Sequence, residues 1–122
     1  MSSSVISIVD DDHSAREGIT DLVTSMGFDA QAFERADQFL ESDGLHRTDC
    51  LITDMRMPGM SGLELHERLV ASGISIPTIV ITAFPQDADR FRAEQSGIWC
   101  YLAKPCDEMQ LLRCIRAALA GK

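Results

Sequence analysis

Five short apolar segments, each followed by a segment with helical periodicity, constrain the fold of this 122-residue chain more than any other feature. The predicted strands are 5–9, 29–33, 50–53, 78–81 and 98–103. The predicted helices follow them at about 14–26, 36–42, 61–70, 87–96 and 107–119. Strands that alternate with helices form a parallel sheet with helices on both faces. The sequence therefore predicts one α/β domain.

Helix boundaries and buried helix faces are also predicted from the sequence. Candidate capping boxes are Ser14 with Glu17, Ser61 with Glu64, and Asp107 with Gln110. Apolar residues expected to face the core are Leu65, Leu69 and Val70 in the third helix, and Ala88, Phe91 and Ala93 in the fourth. The fourth helix has few large apolar residues, so we expect it to be the most weakly packed of the five.

The overall charge restricts the partners of this domain. A net charge of -8 repels phosphate backbones and anionic lipid, so we expect no direct nucleic-acid binding and no membrane binding. Residues 1–4 have no basic region typical of a signal peptide, which favours a cytoplasmic location. The four cysteines lack metal-site spacing and are expected to be small buried hydrophobic residues rather than zinc ligands or disulfides.

Reactive side chains follow four of the five predicted strands. Asp10 and Asp11 follow the first strand, and Asp54 follows the third. Thr82 and Lys104 follow the fourth and fifth. The carboxyl ends of parallel strands lie at one edge of a sheet, where ligands bind, so these residues should meet in one pocket. Three carboxylates, a hydroxyl and an ammonium suit an aspartate that accepts a phosphoryl group with the help of a divalent metal ion.

The three aspartates require a cation if they meet. Two unit charges ~4 Å apart repel by roughly 4 kcal/mol at an effective dielectric constant of 20. Gathering Asp10, Asp11 and Asp54 is therefore costly unless a cation lies among them. Mg²⁺ suits the site, because it prefers oxygen ligands and retains several waters, and Mn²⁺ accepts similar ligands. A solvated acidic turn at residues 10–12 is the alternative interpretation.

The segment from 54 to 62 predicts a tight loop after the third strand. Pro58, Gly59 and Gly62 restrict its path, and its backbone carbonyls can then face a metal ion. A carboxylate such as that of Asp54 can attack phosphorus and form an acyl phosphate. Phosphoryl transfer needs mainly positioning and charge neutralisation, which a metal ion and Lys104 can supply. A purely structural aspartate that caps the loop is the alternative.

Two further side chains allow more than one interpretation. Thr82 is either a hydroxyl at a strand end or a donor to a phosphate on Asp54. Tyr101 lies on the strand that leads to Lys104, and its chemistry alone does not distinguish a half-buried aromatic ring from a functional one.

Taken in order along the chain, these motifs resemble the receiver (CheY-like) domain of a bacterial two-component response regulator. The matching residues are Asp10-Asp11, Asp54 with its Met-Pro-x-x-x-Gly tail, Thr82-Ala83, Tyr101 and Lys104-Pro105. Segments 53–58 and 76–82 are most similar to the FixJ-type subgroup, whose members commonly carry a C-terminal helix-turn-helix DNA-binding domain. The resemblance implies the (βα)5 flavodoxin-like fold, a doubly wound sheet with strand order 2-1-3-4-5. It also implies one receiver domain over residues 1–122, with any output domain outside this chain.

The resemblance implies roles for the acidic residues and for the loop. Asp54 would be the phosphoacceptor. Asp11 and Asp54 would bind Mg²⁺ or Mn²⁺ directly, and Asp10 would act largely through water. Arg56 would contribute its backbone carbonyl to the metal ion.

The resemblance also implies roles for the residues after the fourth and fifth strands. Lys104 would contact the phosphoryl group, and its bond to Pro105 would be cis. Thr82 and Tyr101 would form a switch pair, in which the hydroxyl moves to the phosphate and the ring turns inward. Ala83, being small, would leave the phosphate open to water.

These roles imply a signalling function. A sensor histidine kinase would phosphorylate the domain, and the face formed by the fourth helix, fifth strand and fifth helix would change. That change would favour a homodimer and control transcription through a separate DNA-binding domain. The domain would catalyse only its own phosphorylation and dephosphorylation and would not be a metabolic enzyme. Phe84, Pro85 and Cys106 depart from the family pattern, and their effect on switching is not predicted.

Three other functions fit the sequence less well. An aspartate-nucleophile phosphatase of the haloacid dehalogenase type needs a second aspartate where Arg56 stands. A flavodoxin-like flavin protein needs a phosphate-binding loop where the acidic run 10–12 lies, and that run would repel the flavin phosphate. An adaptor that works without phosphorylation would normally have a degraded site, whereas the motifs here are complete.

Overall fold

Five parallel strands form one sheet in the order β2-β1-β3-β4-β5. The computed structural model describes residues 3–121. Its strands are β1 (Val5–Val9), β2 (Asp29–Phe33), β3 (Cys50–Thr53), β4 (Thr78–Thr82) and β5 (Cys100–Ala103). Its α-helices are α1 (His13–Ser25), α2 (Ala36–Glu41), α3 (Gly62–Ala71), α4 (Asp87–Gln95) and α5 (Glu108–Ala120). The predicted fold class and strand order are confirmed.

The sheet is buried on both faces, which explains its continuous β-branched and aliphatic runs. Successive side chains of a strand point to opposite faces. One face of the sheet packs on α1 and α5 through Ile8, Ile52 and Ile81. The other packs on α2 and α3 through Val9 and Leu51. The register pairs Val9 with Thr53 and Thr82 with Ala103, so the next residues along these strands emerge at one edge.

The predicted N-cap of α1 is wrong by two residues. Ser14 is not the N-cap, because Asp12 has an extended backbone and its Oδ1 accepts a hydrogen bond from Ser14 N at 3.2 Å. A carboxylate at the N-cap suits the positive end of the helix. The capping box of α3 is confirmed, since Ser61 and Glu64 each accept the other's backbone N–H.

Two predicted helix faces differ from the structure. Val70 is 59 % exposed, because Leu65 and Leu69 already fill the contact of α3 with the sheet. In α4, Ala88 and Phe91 are exposed, and the buried residues are Ala93 and the charged Asp89. A carboxylate therefore occupies the inward face of α4, where the apolar pattern alone predicts alanine and phenylalanine.

Smaller differences lie at loops and strand ends. A 3-10 helix at Asp43–Arg47 was not predicted. It encloses a buried polar cluster in which Thr48 Oγ1 donates to the Gly44 carbonyl and lies 2.7 Å from Ser7 Oγ. Strand β5 begins at Cys100 rather than at residue 98, and β4 extends by one residue to Thr82.

The expectation that all cysteines act as small hydrophobic residues is wrong for two of them. Cys100 in β5 and Cys114 in α5 form a disulfide, with their Cα atoms 6.3 Å apart. They meet because α5 packs against the sheet beside its edge strand, a proximity that a separation of 14 residues does not reveal. No helix among residues 3–121 combines the length and apolarity needed to cross a membrane.

Candidate functional site

Lys104 connects the carboxyl ends of three strands. Its Nζ donates to Asp10 Oδ2 at 2.8 Å and to Asp54 Oδ2 at 3.0 Å. Burial lowers the pKa of Lys104, but its hydrogen bonds to the two carboxylates more than offset this, so its pKa lies above the ordinary lysine value. The side chain is therefore a permanent cation at physiological pH.

The structure brings the three predicted aspartates together. One carboxylate oxygen each from Asp10, Asp11 and Asp54 lies within 4.8 Å of the other two. Asp10 is 1 % exposed and Asp54 is 9 % exposed, while Asp11 faces solvent. Three carboxylates with one ammonium leave a charge of about -2 at neutral pH. This oxygen-rich donor set fits a hard divalent cation such as Mg²⁺ or Mn²⁺.

The two buried carboxylates differ in the oxygens they can still offer. Asp10 Oδ1 accepts from Asp12 N at 2.9 Å and its Oδ2 accepts from Lys104, so both of its oxygens already have donors. Asp54 Oδ1 accepts only a longer bond of 3.3 Å from Arg56 N. Asp54 is thus better able than Asp10 to exchange a hydrogen bond for a new ligand.

The loop after β3 holds Asp54 through close backbone contact. Gly59 has φ +85°, a conformation that favours glycine. A Cβ atom on Gly62 would overlap the backbone carbonyl of Asp54, so only glycine lets α3 begin this close to the site. Gly62 N also donates to the Met55 carbonyl at 3.1 Å. The tight loop predicted from Pro58, Gly59 and Gly62 is confirmed.

Thr82 and Tyr101 contact the β4–α4 loop in this structure rather than the carboxylates. Thr82 Oγ1 accepts from Phe84 N at 3.3 Å, and Tyr101 Oη accepts from Gln86 N at 3.2 Å. The Tyr101 ring is buried and already lies inward. The two hydroxyls therefore hold opposite ends of one loop, and a change at either one alters how that loop is attached.

An ion pair that the sequence did not reveal connects the loop after β3 to α4. Asp89, 2 % exposed, accepts from Arg56 Nη2 at 2.5 Å and from Arg92 Nη2 at 2.9 Å. Arg56 Nη2 also lies 3.4 Å from Gln86 Oε1. A spacing of three residues, as between Asp89 and Arg92, is also typical of exposed pairs on helix surfaces and does not predict a buried carboxylate. Arg56 is 33 residues away from Asp89, and its predicted role concerned only its backbone carbonyl.

Two more polar contacts hold α4 in place. His66 Nε2 on α3 donates to the Ser96 carbonyl at the end of α4, at 2.9 Å. Its Nδ1 lies 3.0 Å from Thr78 Oγ1 in β4. On the outer side, the Arg90 guanidinium lies 4.8 Å from the centre of the Tyr101 ring. In the sequence, His66 is only a lone histidine on a mostly apolar helix face, a pattern that does not predict these contacts.

Residues 6–116 match the family model described as the response regulator receiver domain. The chain belongs to this family. Receiver domains of response regulators typically bind Mg²⁺ at an acidic pocket and take phosphoryl groups from histidine kinases. Family membership decides against the phosphatase and the flavin protein, and the adaptor remains a matter for experiment.

Similar proteins include bacterial response regulators and transcriptional regulators. The response regulator protein TmoT of Ectopseudomonas mendocina is 40 % identical, over 95 % of this chain and 53 % of that protein. The transcriptional regulatory protein FixJ of Rhizobium meliloti (strain 1021) is 32 % identical, over 97 % of this chain and 58 % of FixJ. The receiver domain therefore spans about half the length of the curated relatives it matches.

Solved structures agree with the sequence comparison. The crystal structure of FixJ-N superposes with a TM-score of 0.90 at 31 % identity and covers 100 % of this chain and 98 % of that one. The response regulator StyR superposes with a TM-score of 0.85 at 41 % identity, covering 98 % of this chain and 60 % of that one. The predicted resemblance to a FixJ-type receiver domain is confirmed.

Proposed function

We propose that Asp54 accepts a phosphoryl group from the phosphohistidine of a sensor histidine kinase. The observation that carries this proposal is the position of Lys104, whose ammonium is bound to the carboxylates of both Asp10 and Asp54. An ammonium at that point can neutralise charge on a phosphoryl group attached to Asp54.

The chemistry is a displacement at phosphorus. An oxygen of Asp54 attacks, the new O–P bond forms, and the P–N bond to the kinase imidazole breaks. The imidazole leaves and takes a proton from solvent. Lys104 remains beside Asp54 throughout, and Arg56 N moves its weak hydrogen bond to the new oxygens.

Asp11, Asp54 and the backbone carbonyl of Arg56 would hold Mg²⁺ or Mn²⁺, with Asp10 acting through water because both of its oxygens have donors. When bound, the ion supplies positive charge to the oxygens of the phosphoryl group. Ala83 is small and would leave the phosphorylated site open to water, which favours hydrolysis of the acyl phosphate. We further propose that the domain catalyses only its own phosphorylation and dephosphorylation and is not a metabolic enzyme.

The signal leaves through the β4–α4 loop. In the phosphorylated state the Thr82 hydroxyl turns from Phe84 N toward the phosphoryl group, and the loop and α4 shift with it. We name the surface of α4, β5 and α5 the output face; it carries the exposed apolar side chains of Phe91 and Trp99. Its change favours a homodimer, and a DNA-binding domain elsewhere in the full-length cytoplasmic protein then controls transcription.

A mass measurement tests the proposal. Incubation with a small acyl phosphate and Mg²⁺ should add the mass of one phosphoryl group to the chain, and Asp54→Asn should abolish the addition. Asp21→Asn, which neutralises an exposed carboxylate on α1, is the matched control and should be labelled like the wild type. Equal labelling of Asp54→Asn would refute the assignment, and an unlabelled wild type would favour the adaptor.

A further inference from the structure

Two cysteines connect the edge strand of the sheet to the last helix. Cys100 begins β5, Cys114 lies in the middle of α5, and the two form a disulfide. Their Cα separation of 6.3 Å lies within the range that a disulfide spans without backbone movement. Both residues are half-buried, so small thiols and disulfides in solution can reach the pair.

The pair belongs to the output face and not to the phosphorylation site. Cys100 and Lys104 lie at opposite ends of β5, about 13 Å apart at ~3.3 Å per residue. Tyr101, which binds the β4–α4 loop, directly follows Cys100. Cys114 lines the same groove as Arg90, Trp99 and Gln110.

Contacts at the far end of α5 strengthen this link. The Trp99 ring lies so close to Gly121 that a Cβ there would overlap it. The start of β5 thus contacts α5 at two places, through Trp99 and through the disulfide. Opening the disulfide removes the covalent contact and leaves the packing of Trp99.

We propose that Cys100 and Cys114 form a reversible redox couple that sets the mobility of α5 on the output face. This inference deepens the function proposed above and rests on it for its signalling consequence. The couple is chemically independent of Asp54, so the oxidised and reduced forms should both accept a phosphoryl group.

The oxidant is a low-molecular-weight disulfide. The thiolate of one cysteine attacks it, forms a mixed disulfide and releases one small thiolate. The second cysteine then loses its proton and attacks the sulfur of the first cysteine in that mixed disulfide, which releases the second small thiolate. Two protein thiols and one small disulfide thus become one protein disulfide and two small thiols, and excess thiol reverses the reaction.

The chemistry of the compartment and of the other cysteines supports a switch over a permanent bond. In the cytoplasm, the location proposed above, thiols are kept reduced and disulfides are usually transient or redox-sensing. Cys50 is fully buried in β3, out of reach of a small disulfide. Burial and the neighbouring Asp107 raise the pKa of the Cys106 thiol, which reduces its reactivity at neutral pH. An oxidant in solution should therefore select Cys100 and Cys114.

Peptide mass mapping and thermal unfolding test the couple itself. The chain is equilibrated with oxidised glutathione or with excess reduced glutathione, then alkylated with a maleimide in denaturant. We expect a Cys100–Cys114 bond with Cys50 and Cys106 alkylated in the first sample, and all four cysteines alkylated in the second. The oxidised form should melt on the order of 10 °C higher, because the bond closes a loop of about 15 residues.

Cys114→Ser should abolish that thermal difference, whereas Cys106→Ser should retain it. A glutathione adduct on Cys106 in place of the internal bond would overturn the proposal, as would equal melting temperatures for the oxidised and reduced wild type.

Hydrogen exchange tests the consequence for the output face. Amides of α5 should exchange about tenfold more slowly in the oxidised form. Labelling of Asp54 by a small acyl phosphate should be the same in both forms. Equal exchange in α5, or labelling that depends on the redox state, would overturn the assignment to the output face. Absence of labelling in both forms would refute the proposed phosphorylation and leave the mass and thermal results to decide the redox couple.

Discussion

Helix α4 and the sheet edge that carries Asp54 are attached to the rest of the fold in different ways. At the edge, Asp10, Asp54 and Lys104 follow β1, β3 and β5, and Lys104 binds both carboxylates across the end of the sheet. In α4 only Asp89 and Ala93 are buried, and the helix is held by ion pairs and hydrogen bonds. The site is therefore fixed by the sheet, whereas α4 contributes one buried apolar side chain, Ala93, to the core.

The polar partners of α4 connect this helix to the Asp54 site. Arg56, which pairs with Asp89, also donates its backbone N–H to Asp54. Tyr101 and Thr82 hold the loop that precedes α4. The proposed phosphorylation of Asp54 would add charge that competes for these polar contacts, whereas the apolar contacts of the core would not respond to charge.

The largest expected effect contrasts the core with α4. Leu69→Ala in α3 removes a fully buried side chain and should lower the free energy of unfolding by about 2–5 kcal/mol. Phe91→Ala in α4 should change it by about 0.5 kcal/mol or less, because the ring is 61 % exposed. Urea titrations of both variants measure the difference. A similar loss in both would show that α4 is packed as firmly as α3.

A smaller effect is expected at the polar attachment of α4. Asp89→Asn removes the charge that pairs with Arg56 and Arg92, and should cost about 1–3 kcal/mol and speed hydrogen exchange in α4. The matched control is Asp87→Asn, an exposed carboxylate in the first turn of the same helix, which should change exchange little. Slow exchange in Asp89→Asn would show that apolar contacts suffice to hold α4.

The smallest effect concerns cation binding at the edge. At ten times its dissociation constant, Mg²⁺ should stabilise the folded chain by about 1.4 kcal/mol, a melting shift on the order of 5 °C. Asp11→Asn should reduce this shift. Of the three aspartates, Asp11 is the best one to replace, because it is exposed and its loss disturbs the core least. An unchanged melting temperature for the wild type in millimolar Mg²⁺ would contradict the proposed metal site.

The edge of the sheet could be predicted from the sequence, and the attachment of α4 could not. Asp10, Asp54 and Lys104 each follow a recognisable strand, so topology alone brings them together. The contact between Arg56 and Asp89 depends on how two long side chains meet across a loop, which no local pattern encodes. The same holds for Cys100 and Cys114, whose spacing gives no information on how α5 lies against β5.

Local ambiguity explains the remaining differences. Asp12 and Ser14 are both good N-cap residues, and the hydrogen bond to Ser14 N decides for Asp12. The 3-10 helix at Asp43–Arg47 is held by hydrogen bonds to the Gly44 carbonyl from Thr48 and from the more distant Gln31 in β2. Such contacts form only once the sheet has formed.

Hydrogen exchange on phosphorylation tests the central claim most directly, namely that charge on Asp54 moves α4 while the sheet and α1 stay fixed. The chain is compared with and without a small acyl phosphate in Mg²⁺, and Asp54→Asn is treated in the same way. We expect altered exchange across the β4–α4 loop and Asp87–Gln95, unchanged exchange in His13–Ser25, and no response in Asp54→Asn. Altered exchange in α1 with an unchanged α4, or the same response in Asp54→Asn, would contradict the account.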